Sequence, residues 1–233
     1  MKQHRFFINH KITDNTELIS ISDLDIIHQV KDVLRLKIGD SIILLDGSGI
    51  EYHGRIKDIL KKELIISKVL IKDNDVEFNR NIVLASSLIK KDKYEWVLQK
   101  GTEIGVSRFV PIISKRTEKI KLNIDRAKKI VKEAAEQSER GTVPDVSQPV
   151  SLEEFLMNNN LPVICFNKNG EKFEPGIFKD LNDVVIFTGP EGGFSEEDIS
   201  LFKENNAKFI SLGDQILRAE TAAIISSFLL TLK

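Results

Sequence analysis

A single cysteine, Cys165, stands among 233 residues, so no internal disulfide can staple the chain and its stability has to come from burial. That cysteine falls in the apolar run Leu161–Phe166, where a packed strand residue is expected. No apolar run approaches the roughly 20 residues of a membrane span. Met1-Lys2-Gln3-His4-Arg5 carries charge with no hydrophobic region or cleavage site behind it, so no signal peptide is expected. His4, His10, His28 and His53 show no metal-ligand spacing, and no His/Cys/Asp cluster does either, so no metal is expected. Internal repeats and low-complexity stretches are missing too. Together these absences point to a cytoplasmic protein with no membrane partner.

What is present is ordinary in bulk and uneven in detail. The formal net charge is −1, with 30% charged and 41% hydrophobic residues, as in a globular chain. Residues 80–150 carry 15 basic against 9 acidic side chains, whereas residues 151–233 carry 7 against 13. A basic middle beside an acidic end permits a phosphate-binding face without demonstrating one.

Residues 1–72 are β-rich. Ser41–Asp46 and Glu63–Leu70 are β-branched runs, and Asp46-Gly47-Ser48-Gly49 before Tyr52–Ile56 is a hairpin turn. His28–Asp40 reads as a short helix ending at Gly39. A small barrel with one helix fits, followed by a polar linker at Lys72–Asp75. From residue 80 onward apolar runs and helical periodicities alternate. Strands are expected at Ile82–Ile89, Phe109–Ile113, Leu161–Phe166, Val184–Thr188 and Ala207–Leu212. Helices are expected at Asp92–Glu103, Asp125–Arg140, Glu196 to about Asn205 and Glu220–Leu230, with Ser195 and Asp198 forming a capping box. That alternation predicts an α/β domain with a mostly parallel sheet.

Two glycine-bearing loops near the C-terminus, Thr188–Phe194 and Leu212–Arg218, each follow an apolar run and lead into a helix. Such loops offer bare backbone to a ligand. Neither the G-x-x-x-x-G-K-[ST] nor the G-x-G-x-x-G spacing of a phosphate cradle is present, and Glu191 would repel a polyanion. The loops suit a neutral or cationic group, of which an adenosine bearing a sulfonium is one example. Tight turns with glycine at positive φ are the alternative.

Gly189-Pro190-Glu191-Gly192-Gly193-Phe194-Ser195 and Leu212-Gly213-Asp214-Gln215-Ile216-Leu217-Arg218-Ala219-Glu220-Thr221-Ala222 resemble the C-terminal signatures of the RsmE family. So do His4-Arg5-Phe6-Phe7, the Val33-Leu34-Arg35 run, Lys100–Val106 and Glu133–Arg140, so the likeness covers nearly the whole chain. It implies an N-terminal PUA-like RNA-binding β-barrel over residues 1–72. Residues 73–233 would be a SPOUT methyltransferase domain, whose α/β fold carries a deep trefoil knot. The implied activity is S-adenosylmethionine-dependent methylation of N3 of a uridine in 16S ribosomal RNA, within the small ribosomal subunit and by a homodimer. A SPOUT enzyme acting on a ribose 2′-hydroxyl or a tRNA base, and a non-catalytic RNA-binding protein, stay open beside it.

The resemblance also distributes roles. Thr188, Gly189, Gly192, Leu212, Gly213, Ile216 and Leu217 match adenosyl-binding positions, the three side chains Leu212, Ile216 and Leu217 walling the adenine. Arg218 is the first candidate to stabilise charge developing on the uracil imide, since a guanidinium stays cationic; pairing with Glu191 or Glu220 as a loop brace is the alternative. Glu191 could face the donor's cation, act as a base or brace the turn, and Thr221 could bond the ligand or cap the last helix. Leu84–Ser86 fit core packing better than the pocket. Arg5, Lys100, Gln137 and Arg140 are the main RNA-binding candidates, with Lys90, Lys91, Lys93 and Arg116 behind them.

Overall fold

The computed structural model describes residues 3–13, 16–74, 80–118, 121–174, 176–178 and 180–231. The chain divides into two compact units, one formed by Met1–Glu77 with Ala135–Val143, the other by Phe78–Ala134 with Pro144–Lys233.

The first unit is built on a five-stranded sheet of β1 (His4–Phe7), β2 (Leu18–Ile21), β3 (Ser41–Leu45), β4 (Ile50–Ile59) and β5 (Leu64–Asp73), in the order β1-β3-β4-β5-β2. The β3–β4 hairpin forms as expected, because Gly47 and Gly49 take φ of 75° and 85° while Asp46 Oδ1 accepts the Ser48 N–H at 2.9 Å. Pairing is antiparallel except where β1 lies parallel to β3. Phe6, Ile19, Ile21, Ile42, Leu44, Tyr52 and Ile66 bury one face against helix α1 (Leu24–His28), which supplies Ile26 and Ile27.

Three expectations need correction here. The helix expected at His28–Gly39 starts earlier, at Leu24, because Asp23 caps it by accepting the Asp25 and Ile26 N–H groups. It runs on as a π-helical turn (Gln29–Val33) and stops before Arg35, whose φ of 54° breaks the helix; Gly39 serves a later turn. Lys72 and Asp73, read as linker, complete β5 opposite Glu51 and Ile50, while Asp75 lies outside the described residues. The helix expected at Asp125–Arg140 is α3 (Ile124–Gln137): Glu139 turns left-handed at φ 63°, and the Arg140 N–H closes onto the Ala135 carbonyl at 3.0 Å.

The second unit is a seven-stranded parallel sheet of β6 (Asn81–Ser87), β7 (Val106–Ile113), β8 (Asp145–Val146), β9 (Val150–Ser151), β10 (Val163–Lys172), β11 (Asp183–Thr188) and β12 (Lys208–Ser211). Its order is β12-β10-β11-β6-β7-β8, with β9 also on β7. Alternate residues of each buried strand go to opposite faces. Ile82, Leu84, Ile164 and Ile186 pack with α3, α2 (Lys91–Glu103) and α6 (Ala219–Thr231). Val83, Ala85, Cys165, Val185 and Phe187 pack with α4 (Leu152–Met157) and α5 (Glu196–Glu204). Burial pushes the Cys165 thiol well above its usual range, with Asp198 adding to the effect, as suits a core residue. The Ser195–Asp198 capping box forms at α5 as read from sequence, whereas β8, β9 and α4 were not anticipated. Among the described residues, no helix is long and apolar enough to cross a membrane.

Within the first unit, Arg5 joins two carboxylates. Its guanidinium lies 3.5 Å from Glu51 and 2.9 Å from Glu139, and Glu51, itself buried, also contacts His53 and Asn74 at 2.9 Å. Removing one member of such a buried set strands the others in low dielectric. Arg5→Ala is expected to cost roughly 3 kcal/mol, read as a lower urea midpoint with unchanged slope.

Candidate active site

The ends of β10, β11 and β12 stand side by side, because β10 pairs in parallel with both others. Their C-terminal loops therefore open on one edge of the sheet, where α/β proteins place ligand crevices. A cavity of about 770 Å³ lies there. Its walls are Phe166–Lys168 within β10, Gly189–Phe194 after β11, and Leu212, Gly213 and Gln215–Ala219 after β12, with Lys93 of α2 and Ala222 of α6.

Each loop has a local cause. Gly193 takes φ of 67° and its N–H reaches the Pro190 carbonyl at 2.8 Å, closing a turn with Glu191 and Gly192 at its exposed tip. Arg116 steadies that tip, its Nη1 donating to the Gly192 carbonyl at 2.9 Å. Gly213 sits at φ 121°, where a side chain is strained, and its backbone is tied to Ser211 Oγ on both sides, N–H at 3.2 Å and C=O at 3.1 Å. In β10 the pairing with β12 shifts between Phe166 and Glu171; a Cβ on Gly170 would meet the β12 backbone at 2.6 Å. That bulge places Asn167 and Lys168 in the cavity wall.

Of the residues singled out in the sequence, Gly189, Glu191, Gly192, Leu212, Gly213, Ile216, Leu217 and Arg218 come together around this cavity. Ile216 is 84% exposed, an apolar side chain held out beside the cavity. Thr188 is buried at the end of β11, and Thr221 is half-buried in the first turn of α6; neither is a lining residue. Leu84, Ala85 and Ser86 are core residues. Arg218 caps α6, its carbonyl accepting the Ala222 N–H at 2.9 Å. Its side chain is exposed and has no hydrogen bond or ion pair among the described residues, nor does that of Glu191. Glu220 pairs instead with Lys93 at 3.5 Å.

The RNA candidates are placed differently. Gln137 is exposed at the end of α3 in the first unit, and Lys100 in the second unit bonds Glu103 at 2.8 Å and lies 5.4 Å from the Trp96 ring. Arg5 is held by its carboxylates, and Arg140 is 2% exposed, with burial lowering its guanidinium to about 10. Lys93, Asn167, Lys168 and Gln215 line the cavity without having been assigned there from sequence. Asn167 and Lys168 lie inside β10 rather than at its end, so the rule that ligands sit at strand C-termini does not find them. A smaller hollow of about 440 Å³ between α2 and α3 is crossed by the Glu95–Arg126 ion pair and exposes no glycine backbone. Among the described residues, no three His, Cys, Asp or Glu side chains gather to hold a metal.

Parallel strand ends and glycine turns frame this cavity, and the comparisons place the chain among RNA methyltransferases. Residues 76–231 match the model of the RNA methyltransferase domain and residues 21–70 that of the RNA methyltransferase PUA domain. The chain belongs to the ribosomal RNA small subunit methyltransferase E family. It is 36% identical over 230 residues to the family member of Rickettsia conorii, covering 96% of this chain and 93% of that one. The Bacillus subtilis member is 34% identical over 159 residues, 61% of this chain and 62% of the relative. A crystal structure of the Neisseria gonorrhoeae enzyme bound to S-adenosyl methionine superposes with TM-score 0.90 at 28% identity, covering 97% of this chain and 95% of that one.

Glycine at 213 is a conformational demand rather than a packing one, because nothing lies within 4 Å of a Cβ built there. Gly213→Val is expected to cost roughly 2 kcal/mol through backbone strain, seen as a lower melting temperature. Unchanged stability would mean the loop relaxes freely.

Proposed function

We propose that this protein methylates N3 of a uridine in 16S ribosomal RNA of the small subunit, using S-adenosylmethionine. One observation carries the reading: both glycine loops close on one cavity that has bare backbone, apolar side chains and an uncommitted guanidinium, but no phosphate cradle. The residues fit the donor. About 770 Å³ lies within the range of roughly 300–1,000 Å³ typical of small-molecule clefts. Leu212, Ile216 and Leu217 offer apolar walls for an adenine, and the backbone of Gly189 and Gly192 offers hydrogen bonds to its edge and ribose. The names of the relatives supply the ribosomal substrate class.

When bound, S-adenosylmethionine supplies an activated methyl group. The chain's part is to align the acceptor with it and manage charge. Uracil N3 carries a proton that must leave, and negative charge then spreads over the imide oxygens. In this reading Arg218 holds that charge, its side chain exposed at the cavity and without a carboxylate partner among the described residues. Its position also argues against a stabilising role, since a cation at a helix N-terminus is disfavoured by the helix dipole. Glu191, on the facing loop, balances the cationic donor or receives the proton.

The N-terminal sheet, curled into a PUA-like barrel over residues 1–72, acts as the RNA-holding module, and residues 73–233 as the SPOUT catalytic domain, knotted in a trefoil. Lys100 and Gln137 meet RNA directly. Arg5 and Arg140 contribute by fixing the shape of the RNA-facing segment. A homodimer in the cytoplasm completes the reading; Ile225 and Phe228, exposed on α6, are suited to its interface.

Mass spectrometry of ribosomal RNA nucleosides from a deletion strain tests the substrate. N3-methyluridine should disappear from the small subunit, and its persistence overturns the assignment. Arg218→Ala should lower kcat about a hundred-fold while leaving donor affinity within about three-fold. Equal loss of both would make Arg218 a brace.

A further inference from the structure

The cavity wall contains a cation that neither glycine loop supplies. Lys93, in the first turn of α2, lines the cavity together with Ala219 and Ala222 of α6. Its ammonium lies 3.5 Å from Glu220 Oε1, with the two side chains 28% and 15% exposed. The other oxygen of that carboxylate, Oε2, is buried without a hydrogen-bond partner. Glu220 is the only ion-pair partner of Lys93 among the described residues, and at that distance it leaves the ammonium's three N–H donors available. A desolvated carboxylate with an open acceptor is costly. Here it keeps a cation fixed at the edge of a binding site.

The charge balance of the cavity indicates what this cation faces. Its charged lining side chains are Lys93, Lys168, Arg218 and Glu191, and with Glu220 behind Lys93 the balance is three cations to two carboxylates. That excess of positive charge suits a ligand with an anionic part. Lys168 and Arg218 are exposed and without ion-pair partners among the described residues, whereas Lys93 is half-buried and already positioned. Less rotamer freedom remains for it to lose on binding, and its charge is less screened by solvent.

We propose that Lys93, positioned by Glu220, binds the α-carboxylate at the amino-acid end of the donor. The assignment rests on the donor reading above and moves Lys93 from the RNA surface to the cofactor site. Glu220 acts through Lys93 and is a positioning residue.

Calorimetry with two ligands tests it. S-adenosylhomocysteine and 5′-methylthioadenosine share the adenosine thioether, and the second lacks the amino-acid tail. Lys93→Met should weaken S-adenosylhomocysteine about ten-fold and leave 5′-methylthioadenosine within about two-fold. Lys93→Arg, which keeps the charge, should retain most of the preference for the longer ligand. Equal loss for both ligands overturns the proposal, as does unchanged S-adenosylhomocysteine affinity with weakened RNA binding. If the wild-type protein binds neither ligand, the donor reading itself falls and takes this assignment with it.

Discussion

Parallel pairing of β10 with both β11 and β12 is the constraint on which the site depends. Three neighbouring strands pointing the same way must end on the same edge of the sheet, so their exits are forced together. Antiparallel pairing would have sent one of those loops to the far edge. The strands are held in that arrangement by burial on both faces, with α2, α3 and α6 on one side and α4 and α5 on the other. The cavity is thus a consequence of core packing, not of the loops alone.

Given that frame, the loops differ from ordinary connections in what they leave out. Gly193 and Gly213 hold left-handed or wider backbone, and Gly170 lets β10 approach β12 where any Cβ would collide. Gly193 and Gly213 remove a side chain where backbone lines the cavity. Around these bare segments the charged groups are few and unevenly committed. Arg116 and Ser211 are spent on loop geometry, and Lys93 is tethered by Glu220, while Arg218 and Glu191 have no partner among the described residues. Rigid loop backbone beside uncommitted charge is the pattern expected where ligand binding and charge stabilisation are separate tasks.

Much of the second unit was legible because its signals are long and one-dimensional. Ile82–Ile89 and Val184–Thr188 are continuous apolar runs, and only a strand buried on both faces has that texture at that length. The capping box at Ser195 is local and survives any tertiary context. The eight lining residues recognised in advance belong to the two glycine loops, where composition and ligand approach share a cause. Lys93, Asn167 and Lys168 were not legible as lining residues. They reach the cavity through a helix packed on α6 and a register shift in β10, neither of which leaves a pattern in neighbouring residues. In the first unit, β1 and β2 are four residues each, too short for a periodicity, and α1 ends in a π-helical turn that no 3.6-residue template fits.

Arg5 and Arg140 show why a matching motif does not by itself place a residue on a surface. Both fall in stretches shared with the family, and both are basic, which invites a phosphate-binding role. Yet Arg5 is enclosed by Glu51 and Glu139, and Arg140 is buried deeply enough that desolvation lowers its guanidinium to about 10. The segment that carries Glu136, Glu139 and Arg140 groups with the N-terminal unit although it lies more than 60 residues beyond β5 in the chain. Glu136 accepts the Phe7 N–H at 2.8 Å there, and Ala135 packs on Phe7 and Leu45. A stretch that must meet a distant strand is constrained in sequence as tightly as one that must meet a ligand. Burial and partner charge, not the motif, separate the two kinds of constraint.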